Sequence, residues 1–280
     1  MSGTRAPGWP GGLTAKVAAV VRERFGTPCY VYDRAALEAA ARQALAVPAP
    51  YGLTLRYAMK ANPSHGILTL FRDLGLHVDA SSDFEVERAL RASFPPERVQ
   101  LTSQMPSRRL ADHVRRGVLF NACSLHQLAE FGQVAPGGEV SVRINPGLGS
   151  GSTKRTNTGG PASSFGIWHE YLDEVTAVAA RHRLKITRLH AHIGSGTDPE
   201  IWKRVARMTL DIASRLPDVA TVNLGGGFKV GRMPEEPSAD LGDVGAHVRL
   251  ELEGFRERDG RALHLEIGRA SCRERVFITV

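Results

Sequence analysis

Lys60 ends the run Leu55-Arg56-Tyr57-Ala58-Met59-Lys60, in which apolar residues alternate, and Ala61, Asn62 and Pro63 follow it. Pro63-Ser64 is a helix-start signal ahead of Ile67, Leu68, Leu70 and Phe71. The lysine therefore stands where a strand gives way to a loop and a helix. An amine leaving an apolar strand loses its proton readily and forms an imine with an aldehyde. Taken alone, it could equally be a lysine whose stem packs while its head reaches water.

Further groups follow other apolar runs. Gly225, Gly226 and Gly227 would let backbone N–H groups close around an anion with no Cβ in the way; a plain tight turn is the alternative. His190 and His192 are two apart, so they share one side of a strand, and Gly194, Ser195 and Gly196 come after them. No third ligand accompanies the pair at a metal-binding spacing, so no metal is expected. Asp79, Ser81 and Ser82 form another group. Arg143 leads into Asn145-Pro146-Gly147, where it would face an anionic group or a buried carboxylate. Glu266 closes the series.

These groups need elements to hold them. The patterning predicts strands at 55–60, 77–81, 99–102, 118–122, 139–144, 186–193, 221–224 and 263–266. Helices are expected at 67–74, 83–92, 107–116, 125–131, 171–181, 199–216 and 242–258. Eight strands with helical connections describe a (β/α)8 barrel, whose active sites lie at the C-terminal strand ends. A doubly wound open sheet is the runner-up. Before the barrel come a loose tail at 1–12 and a helix and short strand at 13–32. The long irregular stretch 145–166, rich in Gly, Ser, Thr and Asn, has the length of a functional loop.

A lysine for an imine, an anion cradle, a flat histidine and a carboxylate together suit pyridoxal phosphate. The motifs Tyr57-Ala58-Met59-Lys60-Ala61-Asn62, Val78-Asp79-Ala80-Ser81-Ser82, Arg143-Ile144-Asn145-Pro146-Gly147, Ser164-Phe165-Gly166-Ile167, His190-Ala191-His192-Ile193-Gly194-Ser195 and Gly225-Gly226-Gly227 come in one order. That ordered set resembles the fold-type III pyridoxal-phosphate-dependent decarboxylases, the group of diaminopimelate, ornithine and arginine decarboxylases. The resemblance covers roughly residues 26 to 266, and the His-x-His-Ile-Gly-Ser and Asn-Pro-Gly forms look most like the diaminopimelate branch. It implies that Lys60 carries the cofactor as an imine and that His192 stacks on its ring. It implies that Ser195, Gly225, Gly226 and Gly227 hold the phosphate, that Glu266 bonds the ring nitrogen, and that Asp79 and Arg143 line the same mouth. The implied reaction is amino-acid decarboxylation, with meso-diaminopimelate to lysine as the leading case. Ornithine, arginine or lysine as substrate, a non-catalytic cofactor-binding protein and a lysine-imine aldolase stay open as alternatives.

The resemblance has two departures. Ser164 stands where many relatives have lysine before Phe-Gly. After Glu266 the family continues with Pro-Gly-Arg and a β-domain, which supplies a Cys-Glu-Ser motif and a tyrosine and completes a homodimer. Here the stretch from Ile267 to Val276 is what a common short-read sequencing adapter would encode. Residues 267–280 are therefore expected to lie outside the barrel, residues 33–266 to form it, and the strand near 29–32 to pair with the missing β-domain. A chain without that domain is expected to be inactive.

Composition agrees with a globular protein of 280 residues, 42% hydrophobic and 23% charged. The net charge of +7 comes from scattered basic residues with no aromatic platform, which argues against nucleic acid as partner. No apolar run is long enough to span a bilayer. Cys29, Cys123 and Cys272 are too far apart to suggest a metal pattern. With no targeting segment visible, a cytoplasmic location is expected.

Overall fold

The structure, a computed structural model, describes residues 14–148, 159–160, 163–194, 198–228, 239–269 and 276–279. Helix α1 (Ala15–Phe25) and strand β1 (Cys29–Tyr32) precede helix α2 (Arg34–Leu45). Alternation then runs β2 (Leu53–Ala58), α3 (His65–Asp73), β3 (His77–Ala80), α4 (Asp83–Arg91), β4 (Val99–Leu101), α5 (Leu110–Arg115), β5 (Leu119–Ala122), α6 (Leu125–Val134) and β6 (Glu139–Asn145). It continues with the short β7 (Ile167–Trp168), α7 (Leu172–His182), β8 (Lys185–Ala191), α8 (Pro199–Ser214), β9 (Thr221–Asn223), α9 (Leu241–Asp259) and β10 (His264–Arg269).

The strand order β5-β4-β3-β2-β10-β9-β8-β6 is closed by pairing of β5 with β6, so these eight parallel strands form a barrel. β7 is a two-residue ledge on β6. The closed barrel, and not the open sheet, is the fold, and each expected strand is present within a few residues. The helix expected at 107–116 is shorter, because Ser107 turns aside to donate to Asp83 Oδ1 at 2.5 Å.

Alternation with a period of two sorts the strand side chains into two sets. One set packs on the helices. Leu55, Tyr57 and Met59 of the β2 segment are at most 2% exposed, and the Tyr57 ring meets Phe71 of α3 edge-on at 4.7 Å. Burying each such side chain contributes about 1.5–3 kcal/mol. The other set fills the barrel, and it is polar where many barrels are aliphatic. Arg56, Gln100, Asn121, Ser141, Arg143, His190, Asn223 and Glu266 are all buried.

Two strand-to-helix turns at the mouth are built alike. Ser82 Oγ accepts from Glu85 N at 3.3 Å, and Glu85 reaches back to Ser81 N at 2.6 Å. Ser124 Oγ accepts from Gln127 N at 3.1 Å, and Gln127 reaches back to Cys123 N at 2.8 Å. These reciprocal caps satisfy helix-end donors and fix where β3 and β5 stop.

Ile267, Gly268 and Arg269 extend β10 beside Leu55, Arg56 and Tyr57 of β2. Strand β11 (Val276–Thr279) pairs antiparallel with β1. Val-Phe-Ile-Thr has the β-branched and aromatic make-up of a strand, and β1 offers it an open edge. The tail at 1–12 lies outside the described residues.

Candidate active site

The C-terminal ends of β2, β3, β6, β8 and β9 bring the singled-out residues to one mouth. Lys60 stands two residues past β2 and is exposed there. Its charge is felt by Asp79, His190 and His192. Asp79, on β3, accepts from Thr102 Oγ1 at 2.6 Å. Burial raises its carboxyl to about 6, against that hydrogen bond and the charges of Arg56, Lys60 and Arg143.

Arg143, on β6, is 7% exposed. Its guanidinium lies 5.0 Å from the centre of the Phe165 ring, on the loop before β7. Its Nη2 is buried with no hydrogen-bond partner among the described residues. An orphaned guanidinium nitrogen in a barrel mouth is a waiting donor for an anionic or carbonyl oxygen. Cys123 lies against Arg143, and burial pushes its thiol up to about 11, so it is not a thiolate nucleophile.

His190 and His192 behave differently. His190 is buried and its Nδ1 lies 2.7 Å from Asn121 Nδ2, so it accepts that donor from β5, on the far side of β6. His192 accepts a hydrogen bond from Gly226 N at 3.1 Å through its own Nδ1. Burial, with Arg143 and Lys60 nearby, holds His192 well below the usual histidine range and keeps it neutral.

The glycine loop wraps this histidine. Gly225 has φ +66°, and a Cβ there would stand 2.4 Å from His192 Nδ1 and 2.8 Å from Ala191 O. Its N–H donates to Asn223 Oδ1 at 2.8 Å. Gly268 N donates to Gly225 O at 2.7 Å, which ties the loop to β10. Trp202 of α8 supports the loop from behind, with Nε1 3.4 Å from Gly226 O and its ring stacked on Phe228 at 4.9 Å. The long loop is clamped by Asn145, whose Nδ2 donates to Gly160 O and Ser163 O at 3.3 and 3.2 Å.

Ser195 lies outside the described residues. Glu266 is not open at the rim; it is 3% exposed and pairs with Arg56 of β2. Arg56 donates from Nη2 to Oε1 at 2.8 Å and from Nε to Oε2 at 3.0 Å. Asn223 Nδ2 adds a bond to Oε2 at 3.3 Å. Burial opposes ionisation, yet Arg56 and the neighbouring Arg188 bring the Glu266 carboxyl below the usual range.

Patterning alone passes over Arg56, Thr102, Asn121, Asn223 and Trp202. Arg56, Asn121 and Asn223 occupy inward strand positions and Thr102 directly follows β4, and a polar residue in an otherwise apolar run is the signal that marks them. Trp202 reads only as part of the apolar stripe of α8. Among the described residues, no three His, Cys, Asp or Glu side chains come together as a metal site.

The family profile described as "Pyridoxal-dependent decarboxylase, pyridoxal binding domain" matches residues 34–272. A diaminopimelate decarboxylase of Streptomyces coelicolor is 36% identical over 273 residues, which cover 90% of this chain and 61% of that protein. A crystal structure of a diaminopimelate decarboxylase matches at a TM-score of 0.82 with 31% identity, covering 91% of this chain and 61% of the other. The diaminopimelate decarboxylase of Helicobacter pylori in complex with L-lysine matches at 0.79 with 25% identity, covering 90% and 66%. The chain thus spans about 61% of the first relative's length.

Proposed function

The chain belongs to the pyridoxal-dependent decarboxylase family, and from that premise we propose that the protein decarboxylates an amino acid with pyridoxal phosphate, meso-diaminopimelate being the leading substrate. The observation that carries the reading is the mouth itself. One amine, Lys60, stands opposite a neutral His192 whose ring is held by the Gly225–Gly226 backbone.

The residues present fit the cofactor. Arg143 keeps a buried donor, Nη2, without a partner among the described residues, and Gly225, with no Cβ, lets the loop pack directly on His192. In this reading Lys60 would hold the aldehyde carbon, His192 would lie against the ring, and Gly225, Gly226, Gly227 and Ser195 would bind the phosphate. Glu266 would face the ring nitrogen, and Asp79 and Arg143 would close the mouth. Bound there, the cofactor supplies an aldehyde for the substrate's amine and a ring that takes up electrons as carbon dioxide leaves. The chain's own groups do the rest. Lys60 accepts and releases the amine proton, Asp79 balances the positive charge beside it, and the apolar shell from Tyr57 to Phe71 keeps Lys60's strand rigid. We further propose that the whole protein is a cytoplasmic homodimer acting on a small amino acid. No helix among the described residues is long and apolar enough to cross a membrane; the small amino-acid substrate is supported by the Helicobacter relative, which was crystallised with L-lysine.

Borohydride reduction after incubation with pyridoxal phosphate, followed by peptide mapping, tests the assignment. The expected result is a single pyridoxyl group on Lys60. Label on another lysine, with Lys60 free, would overturn it. Release of carbon dioxide from diaminopimelate, compared with ornithine and arginine, by the chain extended after Glu266 with a family β-domain then tests the substrate.

A further inference from the structure

Arg56 and Glu266 meet inside the barrel, below the glycine loop. Gly268, two residues beyond Glu266, touches Gly225, so Glu266 sits one pleat deeper, about 7 Å along the strand. Arg56 is 1% exposed and holds both carboxylate oxygens in a fork. Such a bidentate grip fixes the plane of the carboxylate as well as its charge. From β8, Arg188 Nε lies 3.9 Å from Oε1, and from β9 Asn223 donates to Oε2. From β3, His77 is pushed down to about 4 by burial and by Arg56, so it adds no charge at neutral pH. Glu266 therefore never stands as a lone carboxylate: two guanidinium groups face it, and one of them matches it bond for bond.

This bears on the reading above, in which Glu266 faces the cofactor's ring nitrogen, and it rests on that reading. A bare carboxylate in a buried site would hold a proton on the nitrogen tightly. A carboxylate already balanced by a guanidinium holds it less tightly, because the net charge presented to the ring is close to zero. We propose that Arg56 is a positioning residue for the reaction: the barrel presents an Arg56–Glu266 pair to the ring, and Arg56 as well as Glu266 sets how strongly the ring accepts electrons.

The test uses the chain loaded with pyridoxal phosphate carrying nitrogen-15 in its ring. The ring-nitrogen shift is followed by NMR across the neutral pH range in the wild type, Arg56→Gln, Glu266→Gln and the double variant. Arg56→Gln should hold the ring proton more tightly by about tenfold or more, the size expected when a facing charge is removed. Glu266→Gln, which leaves Arg56 unbalanced, should lose the proton at lower pH than the double variant. A merely structural role for Arg56 would lower the melting temperature and leave these titrations alone. If Arg56→Gln does not fold, the comparison of Glu266→Gln with the double variant decides, since two amides of similar size can bond each other. Identical titration in either comparison overturns the proposal. Identical titration in all four proteins would instead remove Glu266 from the ring nitrogen, and the proposal with it. A wild-type chain that takes up no cofactor overturns both the reading and the proposal.

Discussion

The backbone N–H of Gly226 donates to His192 Nδ1 at 3.1 Å. This bond joins two motifs 34 residues apart and assigns the histidine its tautomer, with Nδ1 as acceptor and Nε2 carrying the proton. It also explains why position 225 is glycine, since the backbone there turns at φ +66° directly against the imidazole. Gly225→Ala should therefore weaken pyridoxal phosphate binding by about tenfold or more, because a Cβ forces the loop and the ring apart. Gly260→Ala, a positive-φ site with open space around it, is the control for backbone strain alone. Equilibrium titration of cofactor absorbance checks this; equal affinity in the two variants would deny the loop its fitted contact with His192.

Trp202 holds the same loop from the helix side, by a bond to Gly226 O and a stack on Phe228. It is 1% exposed, so Trp202→Ala should cost about 3–5 kcal/mol of stability. Trp202→Phe keeps most of the volume but loses the Nε1 donor, and should lower cofactor affinity more than it lowers stability. Urea denaturation alongside cofactor titration separates the two effects.

Acid should destabilise the fold. His77, His190 and His192 all bind protons less readily in the fold than in the unfolded chain, where the value is 6.5. The unfolded state then binds more protons, and stability falls as pH drops below about 6.5. Asp79 acts in the opposite sense. Its carboxyl is raised from 3.8 to about 6, so the fold takes up that proton and gains stability as pH falls across that interval. Three histidines outweigh one aspartate. Chemical denaturation should show a plateau above neutral pH and a decline below it. His77→Gln should flatten part of the decline; unchanged stability between neutral and mildly acid pH would refute the balance.

Much of the barrel is legible in the chain because strands such as 77–80 are short, apolar on one face and closed by capping residues. Ser82 with Glu85 and Ser124 with Gln127 announce their helices locally. Lys60, His192 and the glycines are legible for the same reason, since each ends a strand. The Arg56–Glu266 pair is not, because it joins residues 210 apart and depends on barrel closure. Nor is the pairing of β1 with β11, since an open strand edge accepts any segment of suitable make-up.

Asp79 provides the last prediction. Its carboxyl lies where the charges of Lys60 and Arg143 both act, and its value of about 6 means that it ionises just below neutrality. A lysine bound to an aldehyde as a protonated imine keeps its positive charge, so a carboxylate nearby favours capture and a protonated carboxyl does not. Affinity for pyridoxal phosphate should therefore climb as pH rises through about 6 and then level off. Asp79→Asn keeps the acceptor for Thr102 Oγ1 while removing the charge, and should flatten this rise and weaken capture above it by about tenfold. Lys60→Ala separates imine formation from phosphate binding, since the glycine loop stays intact. If Asp79→Asn shows the same rise as the wild type, the titrating group is another one, and Asp79 serves only to hold Thr102.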